Sequence, residues 1–352
     1  MYNKIQLVAY HSPTLVGSPT KKPAQIVPIP KAIKVMSNED EKFRIQRMYQ
    51  VLLWAATDSA VDTSTQTLKI FLAPEFYFKT PGPKSSGGKR AAGGFGAYSH
   101  NTMINMLECL RTIFTSPIPS KPNLLRDWLI IPGTIVSDLP GGGKLYSDKA
   151  RDNVYMNTAP VIQGKKDGFY HYIHKYFISG IDGPPTDASI NSKNPYKAVL
   201  DKLEAKGFDE FDSYSFKVDN VSFALDICLD HAEGLAKSKA KGSADVHIVT
   251  SCGMKLIKES VVAKAGGHAM ICDGHPGTKK ENRSDVRKFT GSKLGPSGAI
   301  SSQKNVPKDL CIGKFDKVGI YQNGDHKGVV SGSDVADWMF TEEILWYKPV
   351  KT

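Results

Sequence analysis

The chain has 352 residues, 40% of them hydrophobic and 23% charged, the balance of an ordinary globular enzyme and not of a fibrous or disordered chain. No apolar run approaches the about 20 residues that a bilayer-crossing helix needs, so no membrane partner is expected. The net charge of +11 is mostly dispersed lysine, usually a solvated surface that also suits anionic partners. The aromatic residues do not interleave with it as a stacking platform requires, so nucleic acid is not expected.

In chain order, residues 1–10 (Met-Tyr-Asn-Lys-Ile-Gln-Leu-Val-Ala-Tyr) lack the basic region and long apolar core of a signal peptide and predict a first strand. Residues 11–36 are rich in proline and lysine and predict no regular helix. Asn38 with Glu41 three residues on is a capping pair. It opens a helix whose apolar face is Ile45, Met48, Tyr49, Leu52, Leu53 and Ala56. Lys69-Ile-Phe-Leu-Ala-Pro-Glu75 predicts a buried strand with a glutamate at its end. The glycines and prolines of 79–97 predict a loop; it lacks the G-x-x-x-x-G-K-[ST] of a phosphate cradle. Ser99 caps a second helix with Met103, Leu107, Leu110 and Phe114 on one face.

Strand-like runs follow at 128–136, 154–162, 169–178, 214–218 and 221–228, with Gly141–Gly143 as a tip between two of them. Residues 231–241 predict one helix ended by Gly242. Asp245–Thr250 predicts a strand, 261–270 a helix weakened by Gly266-Gly267, and 268–272 a short strand. Residues 274–312 show no periodicity and predict a long loop, and 328–349 two short strands with a helical turn. Strands alternating with amphipathic helices place the chain in the α/β class. Five cysteines, an odd and sparse set, predict reduced thiols and a cytoplasmic setting.

Three strand ends carry chemistry. Cys228 ends the run Val221–Ile227 and precedes Leu229-Asp230-His231, where a strand gives way to a helix start. A helix N-terminus favours the thiolate, although a lone cysteine in such a run is more often a small buried hydrophobe. Glu75 and Lys175 end two other apolar runs. Together they supply a nucleophile, a base and a cation. As structural alternatives, Glu75 is a surface charge and Lys175 pairs with Asp182. A cysteine–histidine hydrolase is the nearest rival. His231 follows the thiol too closely to face it, and His171, His174, His247 and His268 suit core histidines better. His268-x3-Cys272-x2-His275 has a spacing a metal uses, but no fourth ligand accompanies it. No metal and no cofactor is therefore expected.

The three blocks in this order resemble the nitrilase (carbon–nitrogen hydrolase) superfamily. The glutamate block is Phe71-Leu-Ala-Pro-Glu75-Phe. The lysine block is Asn157-Thr-Ala-Pro-Val-Ile162 followed by Gly168-Phe-Tyr-His-Tyr-Ile-His-Lys175. The cysteine block is Ala224-Leu-Asp-Ile-Cys228-Leu-Asp-His followed by Gly242-Ser-Ala-Asp-Val-His-Ile-Val-Thr-Ser251. The resemblance implies one α-β-β-α sandwich domain over residues 1–352, four-layered on dimerisation, with loop insertions near 79–97 and 274–312. It implies a Glu75–Lys175–Cys228 triad, expected to meet at the C-terminal ends of neighbouring strands in one sheet, that cleaves an amide, carbamoyl or nitrile carbon–nitrogen bond through a cysteine thioester. Leu229, Asp182 and Asp230 are the substrate-binding candidates: the Leu229 N–H as an oxyanion donor, Asp182 where many members carry a second glutamate. The family's arginine after the cysteine is missing here. A homodimer or higher homo-oligomer is expected, and the alternative is a non-catalytic binding protein on the same scaffold.

Overall fold

Short runs of β-branched and aromatic residues, alternating in and out, build most of the described residues, and they assemble chiefly as two large sheets laid face to face, with two separate two-stranded ribbons. The computed structural model describes residues 1–14, 28–36, 39–81, 95–138, 156–177, 205, 209–210, 214–240, 242–274, 284–307, 310, 317–322, 325–331 and 342–352. The first half supplies strands β1 (Lys4–His11), β2 (Thr67–Leu72), β3 (Thr80–Pro81), β4 (Phe95–Gly96), β5 (Tyr98–Ser99), β6 (Trp128–Ile131), β7 (Ile135–Asp138), β8 (Met156–Gln163) and β9 (Tyr170–His174). The second half supplies β10 (Asp209–Glu210), β11 (Ser215–Val218), β12 (Val221–Ile227), β13 (Ala244–Ser251), β14 (Ala263–Asp273), β15 (Asp285–Phe289), β16 (Leu294–Ser297), β17 (Ile300–Asn305), β18 (Lys317–Gln322), β19 (Asp325–Ser331), β20 (Glu343–Tyr347) and β21 (Val350–Lys351). The helices are α1 (Lys31–Lys34), α2 (Glu39–Ala56), α3 (His100–Thr115), α4 (Leu229–Ala232) and α5 (Leu235–Lys239).

The larger sheet runs β10-β9-β8-β6-β2-β1-β20-β17, with β21 beside β1, β7 beside β8 and β5 beside β7. The smaller runs β11-β12-β13-β14-β15-β16. Its centre is parallel, β12 to β13 to β14, and so is the β1–β2–β6 centre of the larger sheet. Parallel strands need both faces covered, and period-two alternation sorts the side chains accordingly. Ile5, Leu7 and Ala9 of β1, Leu68, Ile70 and Leu72 of β2, and Phe223, Leu225 and Ile227 of β12 fill one core between the sheets. Val8, Tyr10 and Phe71 point the other way, into a second core with α1, α2 and α3. Ala224 and Ala244 turn outward beneath Ala236 of α5. The layers are therefore α-β-β-α, the sandwich expected above. Among the described residues no helix is long and apolar enough to cross a membrane.

The two long helices bear out the periodicity. All six apolar-face residues of α2 and all four of α3 are buried, and the Ser99 hydroxyl caps α3 by accepting from the N–H of Thr102 at 3.1 Å. Asn38 lies outside the described residues.

Other expectations are corrected. Pro30 is followed by the single turn α1 inside the stretch expected to hold no helix. Residues 128–136 form two strands, because Gly133 adopts φ +90° between them. Residues 231–241 form two short helices broken at Gly234, φ +66°. Residues 263–270 belong to a strand, β14, whose end is the short strand expected at 268–272. The positive φ of Gly266 accommodates the register shift between β13 and β14, and Gly267 lies so close to the Asp245 carbonyl that a Cβ would approach it to 2.6 Å. Part of the expected loop 274–312 is strand: β15 and β16 extend the smaller sheet and β17 edges the larger one. Gly141–Gly143 and Asp182 lie outside the described residues, as do 82–94 of the first expected insertion.

Candidate active site

β13 ends at Thr250-Ser251, and this dipeptide gathers the site. The Thr250 carbonyl accepts the N–H of Cys228 at 2.9 Å, and the Ser251 carbonyl accepts the N–H of Glu75 at 3.2 Å. Adjacent Cα atoms are about 3.8 Å apart, so backbone hydrogen bonds pin the glutamate and the cysteine to neighbouring points. The Thr250 hydroxyl adds a third tie, donating to the Ala73 carbonyl at 2.9 Å. Ser251 is fixed in turn by Asp273, whose Oδ1 accepts from the Ser251 hydroxyl at 2.7 Å and from the Gly253 N–H at 2.6 Å.

Lys175 arrives from β9. Its N–H donates to the Asn157 carbonyl at 2.8 Å, and its Nζ lies 2.7 Å from Glu75 Oε1 with both side chains fully buried. The same oxygen accepts from Asn157 Nδ2 at 2.9 Å, and the Lys175 ammonium stands 5.5 Å from the Phe76 ring centroid. One carboxylate oxygen thus holds two donors, which fixes the rotamer of the carboxylate.

The three residues were expected at neighbouring strands of one sheet. They come instead from both. Glu75 and Lys175 leave β2 and β9 of the larger sheet, with β6 and β8 between, and Cys228 leaves β12 of the smaller one. An apolar run announces a strand end but carries no label for its sheet.

Both turns are strained. Phe76 has φ +63° and Cys228 φ +47° with ψ −105°, conformations that cost side-chain-bearing residues on the order of 1–3 kcal/mol each. Surrounding bonds hold them there. The Phe76 N–H donates to the Thr134 hydroxyl at 2.8 Å, and the Cys228 carbonyl accepts the N–H of His231 at 2.9 Å. Gly133 makes room for the glutamate turn, since a Cβ there would sit 2.5 Å from the Pro74 carbonyl oxygen.

Among the cysteines Cys228 has a distinct setting, at the start of α4. Burial pushes the Cys252 thiol well up, with Asp273 and Glu75 adding to it. Burial raises Cys109 to about 12 and pushes Cys272 up as well. Such thiols are inert. Cys311 lies outside the described residues.

The substrate-binding candidates divide. Leu229 is the first residue of α4, directly after the thiol. Asp230 is buried, and its carboxylate accepts the N–H of Phe177 at 2.7 Å and that of Tyr176 at 3.0 Å, a contact that positions the segment after Lys175. Burial pushes its carboxyl up, against the pull of those N–H groups and of Lys175. The metal spacing at His268 and Cys272 dissolves, because four residues along β14 separate them by about 13 Å. His247 is a satisfied core histidine, bonded to Asp226 at 2.9 Å. Residue reasoning gave no role to Asn157, although it opens one of the blocks quoted above, nor to Asp226 or Asp273.

No protein-family model and no curated protein matches the chain. Solved structures do. The chain is similar to Nit3 of Saccharomyces cerevisiae, a member of branch 10 of the nitrilase superfamily, at 13% identity over 84% of this chain and 86% of that one, with a TM-score of 0.36. It is similar to a carbon–nitrogen hydrolase from Helicobacter pylori G27 at 11% identity over 98% and 89%, TM-score 0.41. It is similar also to an amidase from Nesterenkonia sp. at 12% identity over 84% and 88%, TM-score 0.38.

Proposed function

We propose that this chain is a carbon–nitrogen hydrolase of the nitrilase type, acting on a small amide, carbamoyl compound or nitrile. Cys228 attacks the carbon as a thiolate and forms a thioester. Glu75 takes the thiol proton, returns it to the leaving amine and then activates water. Lys175 and the N–H of Leu229 stabilise the charge that develops on the substrate oxygen or nitrogen. The observation that carries this reading is the Thr250-Ser251 dipeptide, which bonds the backbones of Cys228 and Glu75 side by side while Lys175 lies against Glu75. Strained, over-determined turns at both residues accord with it, because such strain concentrates at functional sites.

The test is ammonia release from a panel of amides, carbamoyl compounds and nitriles. Cys228→Ala removes the nucleophile and little volume, so turnover should vanish while the circular dichroism spectrum stays unchanged. Undiminished turnover in that variant would end the proposal. Thiol labelling separates the enzyme from a binding protein on the same scaffold: an active site gives a fast-reacting Cys228, a scaffold an inert one.

A further inference from the structure

Behind the Cys228 turn, on the face of β12 away from the inter-sheet core, lies a buried cluster with no part in the chemistry proposed above. Asp226, His231 and His247 are each 0% exposed, and one ligand atom from each lies within 4.8 Å of the others. Asp226 Oδ2 is 3.3 Å from His231 Nδ1 and 2.9 Å from His247 Nε2. Two imidazoles and one carboxylate at these separations are the donor set of a facial metal site.

The far side of each ring decides against a metal. A metal-bound histidine donates its other N–H outward. Here the other nitrogens face donors. Ile257 N–H points at His231 Nε2 at 2.9 Å, and Val262 N–H at His247 Nδ1 at 3.3 Å. Those nitrogens must be acceptors, so the protons of both neutral rings sit on the nitrogens that face Asp226. The carboxylate accepts both of them on Oδ2, and its Oδ1 accepts the N–H of Ala236 at 3.0 Å. Every polar atom of the cluster is matched, and each tautomer is set by a backbone amide.

The cluster grips the nucleophile turn from both sides. Asp226 lies two residues before Cys228 and His231 three after it, and the His231 N–H bonds the Cys228 carbonyl. Between them α4 carries Leu229, and Asp230 reaches from the same turn of helix to the backbone after Lys175. We propose that Asp226, His231 and His247 form a metal-free clamp with fixed imidazole tautomers that positions Cys228 and the Leu229 N–H, which makes them positioning residues for the hydrolysis proposed above, a reading on which this role rests. Asparagine cannot replace Asp226, since either orientation of its amide turns an N–H toward another N–H. Glutamine can replace His247, since its Nε2 presents a donor where the imidazole Nε2–H stood.

Two measurements test the clamp. Nitrogen-15 NMR of the wild-type protein at neutral pH should show His231 protonated on Nδ1 and His247 on Nε2, with no change on adding equimolar zinc. The opposite tautomers, or stoichiometric zinc uptake that His247→Ala abolishes, would overturn it. The second measurement is the rate at which iodoacetamide alkylates Cys228, followed by mass spectrometry, together with kcat and KM on an amide the wild type turns over. His247→Leu and Asp226→Asn should slow both alkylation and kcat by on the order of 10²-fold, the cost of misplacing a reacting group, with KM little changed. His247→Gln should restore most of the rate. Equal rates in the leucine, glutamine and wild-type proteins would refute the positioning role. Turnover that survives Cys228→Ala refutes hydrolysis by this thiol instead, and the tautomers and alkylation rates then judge the clamp by themselves. If the leucine variant does not fold, Asp226→Asn and His247→Gln carry the same comparison of alkylation and kcat.

Discussion

Glu75 and Asn157 show how much a single oxygen can carry. Glu75 Oε1 holds both Lys175 and Asn157 in a fully buried setting, where removing one partner of an ion pair costs roughly 3–5 kcal/mol. On the mechanism proposed above, Glu75→Gln should also lower kcat by on the order of 10²-fold or more, as for a lost general base. Asn157→Ala removes only an orienting donor, so its loss in kcat should be smaller and the Lys175 contact should survive. Steady-state kinetics on one amide would rank the two; an Asn157→Ala loss as deep as that of Glu75→Gln would assign Asn157 a direct part. A neighbouring histidine reports on stability. His174 bonds the Thr158 hydroxyl at 2.8 Å, and burial, with His100 beside it, lowers its pKa from 6.5 to about 3. Because the folded pKa lies below the unfolded one, the unfolded chain binds the extra proton first. Stability should be intact above about pH 6.5 and fall as the pH drops toward 3, by up to about 1.4 kcal/mol per pH unit from this group. Urea unfolding at pH 7, 6 and 5 should show the slope, and His174→Gln should flatten it. Equal slopes in both proteins would exclude His174 as the source.

At the scale of elements, the turns set what the strands can present. Gly133 has positive φ and no room for a Cβ beside Pro74, the residue before Glu75. Gly133→Ala should cost on the order of 3 kcal/mol through backbone strain and overpacking, read as a drop in Tm, with activity falling as the glutamate turn shifts. An unchanged Tm would mean that β6 and β7 tolerate a wider gap. The elements also divide by how legible they were in sequence. α2, α3 and the inter-sheet strands were legible because their buried faces repeat at 3.6 or 2 residues. β16 and β17 were not. They are edge strands with no buried side chain: β17 exposes Ile300, Ser301, Gln303, Lys304 and Asn305, and a strand without a buried face writes no apolar alternation. Within 274–312, expected as a loop, the described residues are held as sheet, and Arg287 bonds the Gly295 carbonyl across β15 and β16 at 3.0 Å. The first part of β14 reads as helix because Ala263-Lys-Ala-Gly-Gly267 alternates weakly, while its second part, 268–272, is legible as strand. The three site residues were legible as strand ends. The clamp and Asn157 were not, since a buried histidine, aspartate or asparagine takes its meaning from partners far away in sequence.

For the molecule as a whole, the two outer layers are unequal among the described residues. One face is covered by helices of 18 and 16 residues, the other by α4 and α5, of 4 and 5. The apolar C-terminal residues Leu345, Trp346 and Tyr347 are spent within the molecule, in β20 beside β1, and cannot also cover a partner. A two-fold homodimer, the commonest closed assembly, is expected to use the thinly covered face. Light scattering at low micromolar concentration should give twice the 38.5 kDa of one chain, and a mass of one chain would refute the dimer.

The Thr250-Ser251 dipeptide also has a consequence for the making of the protein. During synthesis Glu75 and Lys175 leave the ribosome well before Cys228, and Cys228 before the two carbonyls that bring them together. N-terminal segments fold first while the rest is still being made. A nascent chain therefore carries its thiol without its base until some 250 residues have emerged and the second sheet has closed over the first. On the mechanism proposed above, an unfinished or truncated chain should carry only an ordinary exposed thiol and hydrolyse nothing.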